Sequence, residues 1–323
     1  VITARAPGKL VVMGEYAVLA GHTGVVAAVD VYATATHVVG RGRLRTDTGG
    51  LLQACIDEAL DTGVILKAPT DAIDVDTSAF TDADRRKLGV GSSAAAAVAF
   101  LAALVPDLDI DGLHAVAQRA HRRFQEGKGS GIDVAASVYG GLVQFRRLSS
   151  ADDDVWGQPL LARLEEASVA PLVVWSGHSQ DTRSFLAKVK NAQSSGAQSA
   201  AAIDAALDRM AAGTAAFLQG LFAHRGDALV AAIDEGRQAL IDLGNAAAID
   251  IVSAPHRAIA DIAVAHGGSA KPSGAGGGDV ALVVVPVDVV AVATAALEAA
   301  GYPVLPLRLG AGGVLRQVSS MDE

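Results

Sequence analysis

The stretch Gly89-Val90-Gly91-Ser92-Ser93 runs straight into Ala94-Ala95-Ala96-Ala97, and no other junction constrains the fold as much. Glycines let a backbone turn tightly with nothing bulky on it, and alanine is the best helix former. The pattern predicts a helix over Ser93–Leu104 whose start is approached by bare backbone. Unpaired N–H groups and the positive end of the helix dipole then make an anion site, most readily a phosphate site. Lys87, Gly89, Gly91, Ser92, Ser93 and Ala94 are the candidate phosphate-binding residues, and the two hydroxyls could also bind a Mg²⁺ held by phosphates. Taken alone, the stretch reads rather as a serine-capped buried helix. The order is not that of a Walker A loop, because the lysine precedes the glycines.

Around this junction the chain mixes strands and helices. The first 45 residues read as strand, glycine turn, strand, with apolar runs at Leu10–Met13 and Val25–Val39. Leu51–Asp61 predicts a short amphipathic helix, and Ala72–Ser78 alternates as a strand should. Leu113–Gln125 has apolar residues at helical spacing and a basic outer face. Residues 149–170 are acidic and rich in turn formers, which places a boundary near 160 and gives domains of 1–160 and 161–323. The second half opens on a buried strand at Ala170–Gly177 and continues in alanine-rich helices from 182 to 266. A strand from Val280, a helix over Val287–Ala300 and a strand near Val304–Leu309 complete the reading. Strands and helices without strict alternation argue for an α+β fold.

Charge narrows the partners. The net charge is −9 with no Lys/Arg run longer than three, and aromatic residues make up only 4%. Both features argue against a nucleic-acid surface, whereas a local cationic site for small anions is compatible with an acidic protein. The single cysteine, Cys55, excludes an internal disulfide and a Cys-rich zinc site. It reads as a core residue of a helix in a reducing compartment. There is no run of 18 apolar residues, and the first residues look like a strand rather than a basic head and apolar stem. The expectation is a soluble cytoplasmic protein, monomer or homodimer, without membrane or nucleic-acid partners.

Three further constellations carry candidate chemistry. In Arg5–His22, Lys9 follows Pro7-Gly8 and precedes an apolar strand, so a Pro-Gly turn is expected to aim its ammonium from a rigid element. In Glu126–Gly141, Asp133 lies between glycine-rich turns, where a carboxylate could pair with Lys9 and act on a substrate hydroxyl, or cap a helix. In Lys271–Val284, four glycines among the five positions 274–278 permit close backbone approach to a ligand. Lys87, Lys128, Arg183 and Lys271 lie on or beside these loops and read as cations for an anionic acceptor.

The order of these motifs, "APGK…GEYAVL", "GVGSSAA", "GSGID…YGG" and "SGAGGGD", resembles the GHMP kinase superfamily over nearly the whole chain. The resemblance implies a two-domain fold, the first domain like ribosomal protein S5 domain 2 and binding ATP, the second ferredoxin-like. It implies transfer of the ATP γ-phosphate with Mg²⁺, Ser93 as a metal ligand, and Lys9 and Asp133 as catalytic residues. It also implies substrate contacts from Lys9, Lys128, Ser130, Gly131, Asp133, Arg183, Ser273, Gly274, Ala275 and Gly276. Within the superfamily, "RRKLGVGSSAA", "GKGSGIDVAASVYGG" and "SGAGGGD" look like the phosphomevalonate kinase family, with phosphomevalonate as acceptor. "GEYAVLAGH" and "DTRSFLAKV" look instead like mevalonate kinases. The glutamate that binds Mg²⁺ in mevalonate kinases would fall near Arg122, so that ligand is missing. An inactive sensor of the same family would be expected to lose Lys9 or Asp133, and both are present.

Overall fold

The computed structural model describes residues 1–40, 50–82, 86–148, 155–179 and 182–319. The chain forms two compact units that exchange segments. One comprises Val1–Lys9, Val26–Pro159 and Leu309–Glu323, and the other Leu10–Val25 and Leu160–Arg308. A single cut at 160 therefore does not separate them, because a strand pair near the N-terminus and the C-terminal tail each cross over.

The first sheet has the order β10-β1-β2-β4-β5, with β3 also pairing β2. Its strands are β1 (Ile2–Met13), β2 (Thr23–Val38), β3 (Ala72–Asp76), β4 (Leu142–Arg147), β5 (Val155–Leu160) and β10 (Leu315–Val318). The first unit's helices are α1 (Leu51–Asp61), α2 (Ser92–Leu104), α3 (Ile110–Phe124) and α4 (Ile132–Tyr139). In α2 every residue from Ala94 to Ala103 is buried. A helix apolar on all sides must be enclosed, and alanine lets α1, α3 and α4 approach it closely. Cys55, free and buried in α1, is part of that packing.

Three expectations need correction. Pro7-Gly8 makes no turn, since both lie inside the unbroken strand β1. The ladder between β1 and β10 covers only Ile2–Arg5, so the missing N–H of Pro7 falls beyond that pairing. Part of the turn-rich segment 149–170 is the strand β5, whose pairing with β4 closes that edge. The tail also carries β10, which pairs antiparallel with β1.

The second unit has an antiparallel sheet of order β7-β8-β6-β9, formed by β6 (Val169–Trp175), β7 (Ser269–Pro272), β8 (Val280–Pro286) and β9 (Val304–Leu305). Its helices are α5 (Thr182–Gln193), α6 (Ala197–Phe222), α7 (Gly226–Ala247), α8 (Ala254–Ala265) and α9 (Val290–Ala299). On one face of β8, Ala281, Val283 and Val285 pack with Ile259, Ala260 and Ala263 of α8 and with Ala293 and Leu297 of α9. The helices α6 and α7, joined by a short link, enclose a second core that takes in Tyr16 and Ala17. No helix among the described residues is long and apolar enough to cross a membrane.

Candidate active site

In the first unit the backbone of Lys9 donates to the carbonyl of Val90 at 2.8 Å, which fastens β1 to the glycine loop before α2. Gly91 has φ +84°, and a Cβ there would come within 2.7 Å of the Lys9 Cγ. The lysine stem therefore lies along the loop, and only glycine fits at 91 on both counts. Neighbouring Gly8 shows the same crowding, since a Cβ would meet the Val90 carbonyl oxygen at 2.6 Å. The first two constellations of the sequence are thus one structural element. Lys87 and Gly89 are exposed on the approach to this loop, and Ala94 is buried behind it.

The serines do not cap the helix. The residue at the N-cap of α2 is Gly91, with no side-chain cap hydrogen bond. Ser92 and Ser93 stand in the first turn, partly exposed, with the helix N–H groups beside them. The Ser93 Oγ instead meets the Nε2 of His121 at 3.0 Å. His121, 1% exposed, comes from the last turn of α3, and its Nδ1 is 3.8 Å from the Oδ1 of Asp133. Asp133 is the second residue of α4, so it is not the cap either; Gly131 is, at φ +83°. The Asp133 carboxylate also accepts from the Val134 N–H at 3.0 Å.

Behind this cluster, Gln118 of α3 donates to the Gly131 carbonyl at 2.7 Å and lies 3.0 Å from the Nε2 of His114. A Cβ on Gly131 would come within 2.0 Å of the Gln118 Oε1 and would have to displace that side chain, and its φ of +83° is strained for any residue but glycine. His114 packs at a tilt of 50° against Tyr139, ring centroids 4.9 Å apart, and burial lowers its pKa to about 4. A small pocket opens here, lined by Gln118, His121, Arg122, Gln125, Val155 and the 129–131 loop, Ser130 included. Lys128 stands outside, paired at the exposed surface with Glu126. No ion pair joins Lys9 to Asp133 among the described residues. Lys9 is held by the loop at 90–91, Asp133 by α4 and His121.

In the second unit, the glycine loop 273–279 is tied down by side chains. Ser273 Oγ donates to the Val11 carbonyl at 3.0 Å, and Tyr16 donates to the Ala275 carbonyl at 2.6 Å. The Gly277 N–H donates to the Ile251 carbonyl at 2.7 Å, and the His178 Nε2 lies 2.6 Å from the Gly277 carbonyl. Gly274 stays partly exposed, while Gly276 is buried against Ile251. Lys271 is not a cation offered to an acceptor. It is fully buried and ion-paired with Glu15, and its ammonium also donates to the Pro272 carbonyl at 3.0 Å. The reason is its place on β7, the strand at one edge of its sheet, whose four residues are nevertheless all buried. Arg183 falls in α5, and its side chain lies outside the described residues.

Sequence reasoning missed His121, Gln118 and Glu15. Their contacts span 28, 13 and 256 positions along the chain; no local motif marks His121 or Gln118, and the stretch GEYAVL that contains Glu15 does not disclose its partner. For His121 the available signal was its position on the apolar face of a helix whose outer face is basic.

Comparison with known proteins places this arrangement. Residues 73–141, from β3 through α4, match the family model described as the GHMP kinases N terminal domain. A structure from Listeria innocua, the Lin0012 protein, superposes with TM-score 0.84 at 24% identity, covering 98% of this chain and 99% of the other. Phosphomevalonate kinase from Streptococcus pneumoniae, solved with phosphomevalonate and AMPPNP, superposes with TM-score 0.82 at 17% identity over 96% and 100% of the two chains. The chain carries the GHMP kinase fold. In sequence, the phosphomevalonate kinase of a Streptomyces species is 29% identical over 86% of this chain and 88% of its own length. Within this fold, the first-unit cluster of Lys9, Ser93, His121 and Asp133 is the candidate catalytic machinery.

Proposed function

We propose that this chain is an ATP-dependent phosphomevalonate kinase, which transfers the γ-phosphoryl group of ATP to the phosphate of (R)-5-phosphomevalonate. The products are (R)-5-diphosphomevalonate and ADP, a step of the mevalonate route to isoprenoids. The observation that carries this reading is the similarity to the Streptomyces phosphomevalonate kinase along most of both chains.

The residues of the first unit fit the reaction. Backbone N–H groups at the start of α2, with Ser92 and Ser93, offer donors and a positive dipole end to the nucleotide phosphates. Lys9, whose stem lies on Gly91, sets an ammonium beside that anion site. Transfer between two phosphates brings anions together, so a fixed cation lowers the barrier by stabilising the charge of the moving group. Asp133 is the carboxylate assigned to the acceptor. A phosphate acceptor is largely ionised near neutral pH, so it asks more for positioning than for proton removal. Lys128, Ser130 and Gly131 are proposed as acceptor contacts in the first unit, and Arg183, Ser273, Gly274, Ala275 and Gly276 as acceptor contacts in the second.

No group of three or more His, Cys, Asp or Glu side chains that could hold a metal stands among the described residues. The hard oxygen of Ser93 fits a Mg²⁺ that takes its other ligands from phosphates and water. Such an ion would neutralise phosphate charge. The test is ADP release with (R)-5-phosphomevalonate and with mevalonate, side by side. A clear preference in kcat/KM for phosphomevalonate is expected; a preference for mevalonate would move the chain to the mevalonate kinases.

A further inference from the structure

We infer that His121 is a positioning residue that ties the hydroxyl of Ser93 to the carboxylate of Asp133, so that one buried ring orients both the nucleotide end and the acceptor end of the site. The inference rests on the phosphoryl-transfer reading above and adds a residue to it.

The geometry gives the ring one sensible tautomer. Its Nδ1 faces the Asp133 Oδ1 at 3.8 Å, an electrostatic contact rather than a hydrogen bond. A bare nitrogen lone pair directed at a carboxylate would be repelled, so the proton of a neutral ring belongs on Nδ1. The Nε2 is then an acceptor, and at 3.0 Å from the Ser93 Oγ it accepts a hydrogen bond from the hydroxyl. With its proton committed inward, Ser93 presents only lone pairs outward. That is the orientation a cation–phosphate complex requires of a hydroxyl ligand. The ring cannot rotate freely to do otherwise, because it is 1% exposed and sits in the last turn of α3 beside Phe124, ring centroids 6.3 Å apart. Asp133 thereby fixes the tautomer, and the tautomer fixes the serine.

Two conservative variants separate the two contacts. Glutamine places its amide where Nε2 stands and can still accept from Ser93, whereas asparagine places its amide where Nδ1 stands and still faces Asp133. His121→Asn should weaken Mg²⁺-dependent binding of a fluorescent ATP analogue about 10–100-fold, the usual cost of losing an outer-shell partner. His121→Gln should keep that affinity within about threefold and lower kcat about 10–100-fold instead. Equal losses of both quantities in both variants, or no loss in either, would overturn the inference. Nitrogen-15 spectra of the wild-type histidines give a readout that needs no folded variant at this position and no acceptor. They should show His121 protonated at Nδ1 with an accepting Nε2, and the opposite tautomer would overturn the inference as well. A wild-type protein that binds nucleotide but fails to phosphorylate phosphomevalonate would sink the acceptor assignment. The binding and tautomer results would then still decide the role of His121.

Discussion

Ser93 stands in the first turn of α2, where a hydroxyl ordinarily turns back onto a backbone N–H. Here it reaches to His121 instead, and glycine takes the N-cap. Ser93→Ala should therefore change unfolding free energy by less than the ~1 kcal/mol typical of a lost cap, while turnover falls on the order of a hundredfold. Urea titration and steady-state rates on one preparation check this; a cap-sized stability loss with unchanged turnover would reverse it. Lys9, proposed as an electrostatic stabiliser, follows the same logic. Lys9→Met should cost roughly 2.7–4 kcal/mol in the barrier, a hundredfold to a thousandfold in kcat. Single-turnover rates at saturating nucleotide measure it, and a change confined to KM would assign Lys9 to binding alone. At this scale the sequence exposed residues flanked by glycine, because backbone requirements leave a local mark. Lys9, Gly91, Ser93 and Asp133 were all legible in that way. His121 and Gln118 were not, since a buried polar side chain on a helix is defined by what tertiary packing sets opposite it.

Among the elements, the helices were the most legible. Those of the first unit begin at glycines or acidic caps and have strong apolar patterns, and α1 over Leu51–Asp61 is the expected span. The short strands β5 and β10 were not, because turn formers and exposed side chains dilute a two-residue period. The pairing of Lys271 on β7 with Glu15 also escaped the reading, and it changes what Lys271 does. Removing one partner of a buried pair leaves an uncompensated charge and costs about 3–5 kcal/mol. Lys271→Met alone should therefore destabilise the chain by about that much, and adding Glu15→Gln should recover part of the loss. Thermal denaturation of the single and double variants tests the coupling; strict additivity of two losses would refute it.

Over the whole molecule, two buried histidines link stability to pH. Burial lowers His114 in the first unit and His256 in the second to about 4. The ordinary histidine value is about 6.5, so between pH 6.5 and 4 the unfolded chain binds protons that the folded chain refuses. Stability is fully present above 6.5 and falls as pH drops through that window, by about 1.4 kcal/mol per pH unit for each histidine. Protonated His114 would also lose the acceptor that faces Gln118, which holds the Gly131 loop. Urea midpoints should decline from pH 7 to pH 4.5, and a flat profile would contradict the burial argument. The α+β class and the GHMP kinase likeness were legible at this scale because motif order survives along the chain. The exchange of Leu10–Val25 and of the C-terminal tail between units was not. A compositional boundary marks where a chain is loose, not which unit a strand joins.

Phosphorus-31 NMR of the reaction mixture shows whether the acceptor atom belongs to a phosphate. Transfer onto phosphomevalonate creates a P–O–P anhydride, whereas transfer onto a hydroxyl creates a phosphate monoester. With ATP, Mg²⁺ and (R)-5-phosphomevalonate, the monoester signal should disappear as a coupled pair of diphosphate resonances grows in step with ADP. With mevalonate in its place, little should change over the same time. A new monoester signal from mevalonate, with phosphomevalonate left intact, would make the acceptor a hydroxyl and the chain no phosphomevalonate kinase.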